Sequence, residues 1–364
     1  MSASASRPWW SRWGLLVLAF DFTLNRSLLN KSIQEEGLYP LGIVPLFYSE
    51  SYDHFRVWLQ EGKHAGLHYL EKYDELRKEP EKLLPGSKVA IIVALPYSQG
   101  DTWPPTDAES SRVAQYARFT DYHKLLKKIG QRLVEKWRQD PEFFGHTFRV
   151  LVDSAPILER ALAAQTKSSF IGKNTCLIHP QQGSFLLLAE ILTTYPFEID
   201  EFEKKSECGT CTMCQVECPT GALNKDYVLD SNRCLAYWTI EHRGPIPEEF
   251  WPWLSQYYFG CDICQLVCPF NKESKSYQLP IKITPRKTPS LFEVATMDQK
   301  RYEIYFGGTP MTRAKRNGLK RNALIALYVT KDSRLEEALA QVKKDGGFPL
   351  EETVAQIRRN PIAL

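Results

Sequence analysis

Eight of the nine cysteines in this 364-residue chain fall between positions 208 and 268. Cys208, Cys211, Cys214 and Cys218 form C-x2-C-x2-C-x3-C closed by a proline, and Cys261, Cys264 and Cys268 form a shorter copy closed the same way. Three thiolates on one loop can hold one face of an iron–sulfur cube. Zinc competes for any C-x2-C pair, but its sites use pairs separated by a spacer and not triplets ending in Cys-Pro. In two-cluster proteins the cysteine before the proline ligates the other cluster. That rule gives Cys208, Cys211, Cys214 and Cys268 to one 4Fe–4S cluster. The second receives Cys218, Cys261 and Cys264, and Cys234 is the unassigned cysteine left to complete it. Cys176, in KNTCLIHP, stands apart and reads as a small buried hydrophobe with no chemistry assigned.

An electron carrier needs little more than that segment, yet residues 1–207 precede it. The clusters are therefore expected to feed electrons to a site in the N-terminal part. The informative stretch there is VDSAPILERALAAQ. Asp153 falls at the end of an apolar run, where α/β sheets place ligands, and a carboxyl group kept protonated by burial could deliver a proton. Equally, Asp153 or Ser154 could cap a helix beginning near Pro156. The residues alone leave both readings standing.

The elements that must position these groups follow from periodicity. Lys88–Pro96 and Phe148–Asp153 read as buried strands. Tyr122–Gln139 carries Leu125, Ile129, Leu133 and Trp137 on one helical stripe. Ala155–Thr166 reads as a further helix. Alternating strands and helices imply an α/β (α+β) domain over residues 25–200. A two-cluster, ferredoxin-like domain follows at 201–278. Residues 279–364 read as a linker (Pro280–Pro289) and a short helical tail, with helices expected at Leu319–Val329 and Leu335–Val342. Residues 1–24 read as an extension.

Composition sets the outer bounds. With 43% hydrophobic and 24% charged residues and a net charge of +3, the chain is globular, and its overall charge announces no nucleic-acid partner. A local patch could still supply one. MTRAKRNGLKR (311–321) places Arg313, Lys315, Arg316, Lys320 and Arg321 together with no acidic residue, which would serve phosphates or simply solvate a helix face. Clustered cysteines in so long a chain argue against a secreted disulfide framework and for a reducing cytoplasm. The apolar run at 14–20 is far short of the roughly 20 residues that span a bilayer.

LRKEPEKLLPGSKVAIIVALPY, DYHKLLKK, VDSAPILERALA, IGKNTCLI, GSFLLLAE, the two cysteine runs and KRNALIAL occur in this order. Together they resemble the epoxyqueuosine reductase family over roughly residues 30–330. The resemblance implies an enzyme that uses cobalamin and two 4Fe–4S clusters to remove the epoxide oxygen of epoxyqueuosine at the tRNA wobble position, giving queuosine. It implies that Asp153 is the proton donor and lies at the cobalamin, with Arg77, Leu177, Leu188 and Leu235 as further cobalamin contacts. Arg243, Arg316, Lys320 and Arg321 become expected tRNA contacts. A monomer in the cytoplasm, reduced by an external electron donor and free of membrane, completes the expectation. Phe119 and Thr120 before DYH, and the turn Thr166–Phe170, depart from the family pattern on the expected active-site side. A reductive dehalogenase shares cobalamin and two clusters, but VDSAPILER belongs to the tRNA enzyme's pattern. A plain electron carrier has no use for the large N-terminal domain.

Overall fold

The computed structural model describes residues 22–47, 50–97, 112–200, 206–272 and 286–360. Residues 1–21 of the expected extension and most of the expected Pro280–Pro289 linker lie outside the described residues, while 22–24 already belong to helix Phe22–Glu35. Among the described residues there are six strands: β1 (Tyr39–Pro45), β2 (Val89–Pro96), β3 (Phe148–Leu151), β4 (Phe170–Ile171), β5 (Leu177–Ile178) and β6 (Leu186–Thr193). The main sheet has the order β1-β2-β6-β3, and β4 and β5 form a separate hairpin. Every ladder is antiparallel. The N-terminal domain is thus of the α+β kind, and the rule for parallel sheets does not locate Asp153.

All eight residues of β2 are buried. The reason is that both sheet faces are covered, so the strand needs a continuous apolar run and not an alternating one. Ile91, Val93, Leu95, Ala189 and Ile191 pack on one side with Leu126, Ile129, Leu133 and Trp137 of helix Tyr122–Trp137. Ala90, Ile92, Ala94, Leu188 and Leu192 pack on the other with Ile157, Leu162 and Leu177. Each fully buried leucine or isoleucine here contributes roughly 1.5–3 kcal/mol. Helix Tyr122–Trp137 lies so close to β3 that a Cβ on Gly130 would meet Val150 Cγ1 at 2.6 Å. Leu125, expected on its buried stripe, is only half-buried.

The cysteine-rich segment and the C-terminal helices share one core. Leu235, Ile246, Phe250, Trp251, Tyr258 and Phe259 pack with Leu319, Ala323, Leu324 and Leu327 of helix Lys315–Val329. Between Tyr237 and Glu241 the chain makes a π-type turn, which leaves carbonyls without ordinary helical partners. Asn322 Nδ2 donates to Thr239 O and Tyr258 O, both at 2.8 Å. Arg321 donates to the carbonyls of Trp238 (2.8 Å), His242 (2.9 Å) and Gly244. Lys320 and Arg321, expected to contact tRNA, both lie on the buried side of this helix. Both are fully buried, and Arg321 is turned inward to serve the π turn.

Candidate functional site

The site is built around His123, the third residue of the DYH motif. Asp121 ends the chain ahead of helix Tyr122–Trp137, and its Oδ1 accepts both from His123 N–H (3.1 Å) and from His123 Nδ1 (2.7 Å). His123 Nε2 lies 2.6 Å from Asp153 Oδ2. A neutral imidazole can donate through only one nitrogen, so with both carboxyl groups ionised the ring is the imidazolium. Accordingly the bond to Asp153 holds the His123 pKa above its ordinary value, although burial opposes it. Burial pushes the Asp153 carboxyl up, but the hydrogen bonds from His123 and Tyr122 and the imidazolium charge win, and its net shift is downward. The proton that the sequence reading placed on Asp153 is therefore held by His123, one hydrogen bond away.

Asp153 is held in a left-handed backbone conformation, φ 42°, costing of order 1–3 kcal/mol for such a residue. The chain turns at once, with Ile157 N–H donating to Ala155 O at 2.8 Å, and the next helix is only Glu159–Ala163. The expected helix over Ala155–Thr166 is thus cut to one turn. Its preceding residue is Leu158, with no side-chain cap, so neither Asp153 nor Ser154 serves as its cap. That removes the helix-cap reading of Asp153.

Two further carboxyl groups lie behind Asp153. Burial, reinforced by the Asp153 charge, pushes Glu159 up to about 7, and it accepts from the Asp153 backbone N–H. Glu190, on β6, has no solvent exposure, and neither of its oxygens has a partner among the described residues. Burial, then the charges of Glu159 and Asp153, raise its pKa far above the model-peptide value of 4.5. Glu190 is therefore neutral in the folded chain. A raised folded-state pKa means stability is lost as pH rises from the unfolded value toward the folded one. Glu190→Gln removes that loss, so its melting temperature relative to the parent should climb as pH goes from about 5 to about 8. Parallel curves in differential scanning fluorimetry would contradict a buried neutral Glu190.

The eight thiols sort into two sets. Cys214 is pushed up to about 11 by burial and then by Cys208, Cys268 and Cys211. Cys261 is raised by burial and by Cys234 and Cys218, and Cys264 by Cys176, burial, Cys261 and Cys234. Each set of four would repel itself as bare thiolates, and a cluster of iron ions is the counter-charge that such a donor set fits. The triplets turn into the short helices Met213–Val216 and Ile263–Leu266, which pack on each other. Gly260 leads into the second, with φ +69° and Ala114 Cβ 2.4 Å from where a Cβ would sit. Cys176, given no chemistry from the sequence, hydrogen-bonds with Cys264 and so borders the second set.

The expected cobalamin contacts divide. Arg77 is buried, lies 5.7 Å from the Phe55 ring centroid and lines a shallow cleft with Ile157, Leu158, Leu162 and Gln165. Leu177 and Leu188 share the core that contains Ile157 and Leu162, whereas Leu235 sits in the other core, beside Cys234. Glu159 Oε2 and Gln165 Nε2 are buried without partners among the described residues. Arg77 and Gln165 line the cleft, and a desolvated cation beside an orphan amide donor fits the amide-fringed edge of a corrin. Exposed Arg313, whose charge also reaches Asp153, pairs with Glu241 Oε1 at 2.8 Å, and its guanidinium lies 5.3 Å from the Tyr69 ring centroid. Arg243 is exposed and donates to Arg313 O at 2.8 Å, and Arg316 is half-exposed.

His123, Glu159 and Glu190 were missed in the sequence, although DYH and a lone acid within the apolar run LLLAEILT were visible signals.

Comparison with known proteins places this geometry. The family described as "4Fe-4S double cluster binding domain" matches residues 207–271, and "Epoxyqueuosine reductase QueG, DUF1730" matches residues 77–154. The epoxyqueuosine reductase of Xanthomonas campestris pv. campestris is 36% identical over 303 residues, covering 81% of this chain and 84% of that protein. That of Pseudomonas aeruginosa is 34% identical, with coverage of 87% and 88%. A crystal structure of epoxyqueuosine reductase with an epoxyqueuosine-modified tRNA-Tyr stem loop superposes with a TM-score of 0.82 at 27% identity, over 93% of this chain and 90% of the other. A Bacillus subtilis epoxyqueuosine reductase whose aspartate catalytic loop is swung out of the active site gives 0.83 at 27% identity, over 93% and 90% of the two chains. With more than four-fifths of both chains aligned above 30% identity, and the same fold over 93% of this chain, this chain is an oxidoreductase and belongs to the epoxyqueuosine reductase family.

Proposed function

We propose that the protein reduces epoxyqueuosine to queuosine at the wobble position of tRNA, drawing electrons through two 4Fe–4S clusters to a bound cobalamin. The observation that carries this reading is the His123–Asp153 pair, a poised proton source in a chain whose eight thiols form two cluster-sized sets. Removing an epoxide oxygen as water takes two electrons and two protons. Cobalamin, when bound, would supply a cobalt-centred reductant. Arg77, Asp153, Leu177, Leu188 and Leu235 would surround it, with Glu159 and Gln165 offering their unpartnered atoms to its amides.

Asp153 hands a proton to the departing oxygen, and His123 reloads it through their shared hydrogen bond. The left-handed turn at Asp153 is the local hinge that would let its carboxyl reach the substrate. Cys208, Cys211, Cys214 and Cys268 would hold one cluster, and Cys218, Cys234, Cys261 and Cys264 the other. Arg243 and Arg316 remain as phosphate contacts, with Arg313 beside them. The nucleoside must leave its stack to reach the acid. Among the described residues no helix is long and apolar enough to cross a membrane. A cytoplasmic monomer served by an external donor is the setting we propose.

The test is turnover. Protein loaded with both clusters and cobalamin, incubated with reductant and epoxyqueuosine-containing tRNA, should yield queuosine after digestion to nucleosides. No conversion by a preparation with both cofactors intact would remove the assignment.

A further inference from the structure

The proposed clusters differ in what surrounds them. The loop carrying Cys208, Cys211 and Cys214 is flanked by exposed residues, Gly209, Thr210, Thr212 and Met213 among them. The loop carrying Cys261 and Cys264 is flanked by buried Phe259, Gly260 and Asp262, and Cys261 itself packs against the larger core. Asn174, next to the expected cofactor side, donates to Cys264 O at 3.3 Å. One set therefore opens to solvent, and the other faces inward.

Beside the open set, three large apolar side chains lie exposed: Val216 (75%), Met213 (39%) and Tyr227 (43%). They belong to one continuous surface. Gln215 Nε2 donates to Asp226 Oδ1 at 3.0 Å, joining helix Met213–Val216 to the turn that bears Tyr227. Tyr227 and Ser206 share a hydrogen bond of 2.5 Å across to the start of the cysteine loop. Glu207, Glu217 and Asp226 are exposed alongside, with Lys225. Those carboxylates disfavour a polyanion such as tRNA, which needs a cationic surface.

We propose that this face, Met213, Val216 and Tyr227 beside the Cys208–Cys214 loop, is the docking site of the electron donor, a small protein carrying an exposed one-electron cofactor. This rests on the two-cluster reading above. Each encounter moves one electron from the donor, whose cofactor is oxidised by one, to the cluster held by Cys208, Cys211, Cys214 and Cys268. Two encounters supply the pair that epoxide removal consumes. Redox encounters use small interfaces, below about 1,200 Å², so three apolar side chains and the backbone of one loop are sufficient.

The experiment uses the full chain with both clusters loaded and chemically reduced flavodoxin as the probe donor. Cluster reduction is followed by stopped-flow bleaching of visible absorbance. The double variant Met213→Glu, Val216→Glu should be reduced at least about tenfold more slowly by flavodoxin, because charged side chains replace the apolar contact, while its reduction by dithionite stays unchanged. Ile304→Glu, at an exposed apolar residue (64%) on helix Gln299–Phe306, should behave as the parent. An unchanged flavodoxin rate in the double variant, equal slowing by Ile304→Glu, or sedimentation showing that a second copy of the chain covers this face would overturn the proposal. Failure of the two-cluster reading looks different: iron content below two clusters and no bleaching by dithionite.

Discussion

Asp153→Asn is expected to lower kcat by roughly 10²–10⁴, the range that a positioned general acid supplies. The substitution keeps the shape of the side chain and leaves every proposed cluster ligand in place. Iron content, cobalamin binding and tRNA affinity should therefore match the parent, and only the proton step is lost. His123→Gln tests the same pair from the other side. Gln can still hydrogen-bond Asp153 but carries no titratable proton. The sign of the pH dependence follows from the two shifts. His123 is raised above its ordinary 6.5 by the Asp153 bond, and Asp153 lies below its ordinary 3.8 because the His123 and Tyr122 bonds outweigh burial. The charged pair thus persists between those limits. It loses its stored proton as pH rises through the raised His123 value, so kcat should fall on an alkaline limb above 6.5. His123→Gln should abolish that limb and lower kcat, with little change in KM. A full-rate Asp153→Asn enzyme, or an unaltered alkaline limb in His123→Gln, would return the pair to a merely structural role.

What could be read from the sequence was whatever depends on near neighbours. The cysteine spacing is local chemistry, set by near neighbours alone, so a double-cluster segment was legible in advance. Strand Val89–Pro96 and helix Tyr122–Trp137 were legible within two residues of their ends because burial on two faces and on one stripe leave different periods. The pairing of His123 with Asp153 spans 30 residues and leaves no period at all. Nor does a strand announce its partner's direction, which is why the alternation of elements pointed toward α/β while the sheet is antiparallel. Glu190 was lost for the opposite reason. An acid in a buried strand contradicts the pattern, and only the packed structure shows that its neighbours are Glu159 and Asp153 and not a cation.

The same limit governs the basic run, where the second large effect is expected. Arg321→Ala should destabilise the protein by about 3–5 kcal/mol, a large share of a typical total of about 5–15 kcal/mol. Three carbonyls, those of Trp238, His242 and Gly244, receive the Arg321 guanidinium, and removing it leaves them buried beside a new cavity. Burial lowers the Arg321 pKa to about 9, with Arg243 adding repulsion, yet the carbonyl fork keeps it a cation at neutral pH. Arg321→Lys should recover little, since an ammonium cannot reach three carbonyls in one plane. The loss would appear as a lower denaturation midpoint at unchanged slope. Arg316→Ala and Arg243→Ala should do the reverse, keeping the midpoint while each lowers the salt dependence of tRNA affinity by about one unit of slope. An Arg321→Ala protein as stable as its parent but weakened only toward tRNA would show that the residue faces phosphate, and that the π turn at Tyr237–Glu241 finds its hydrogen bonds elsewhere.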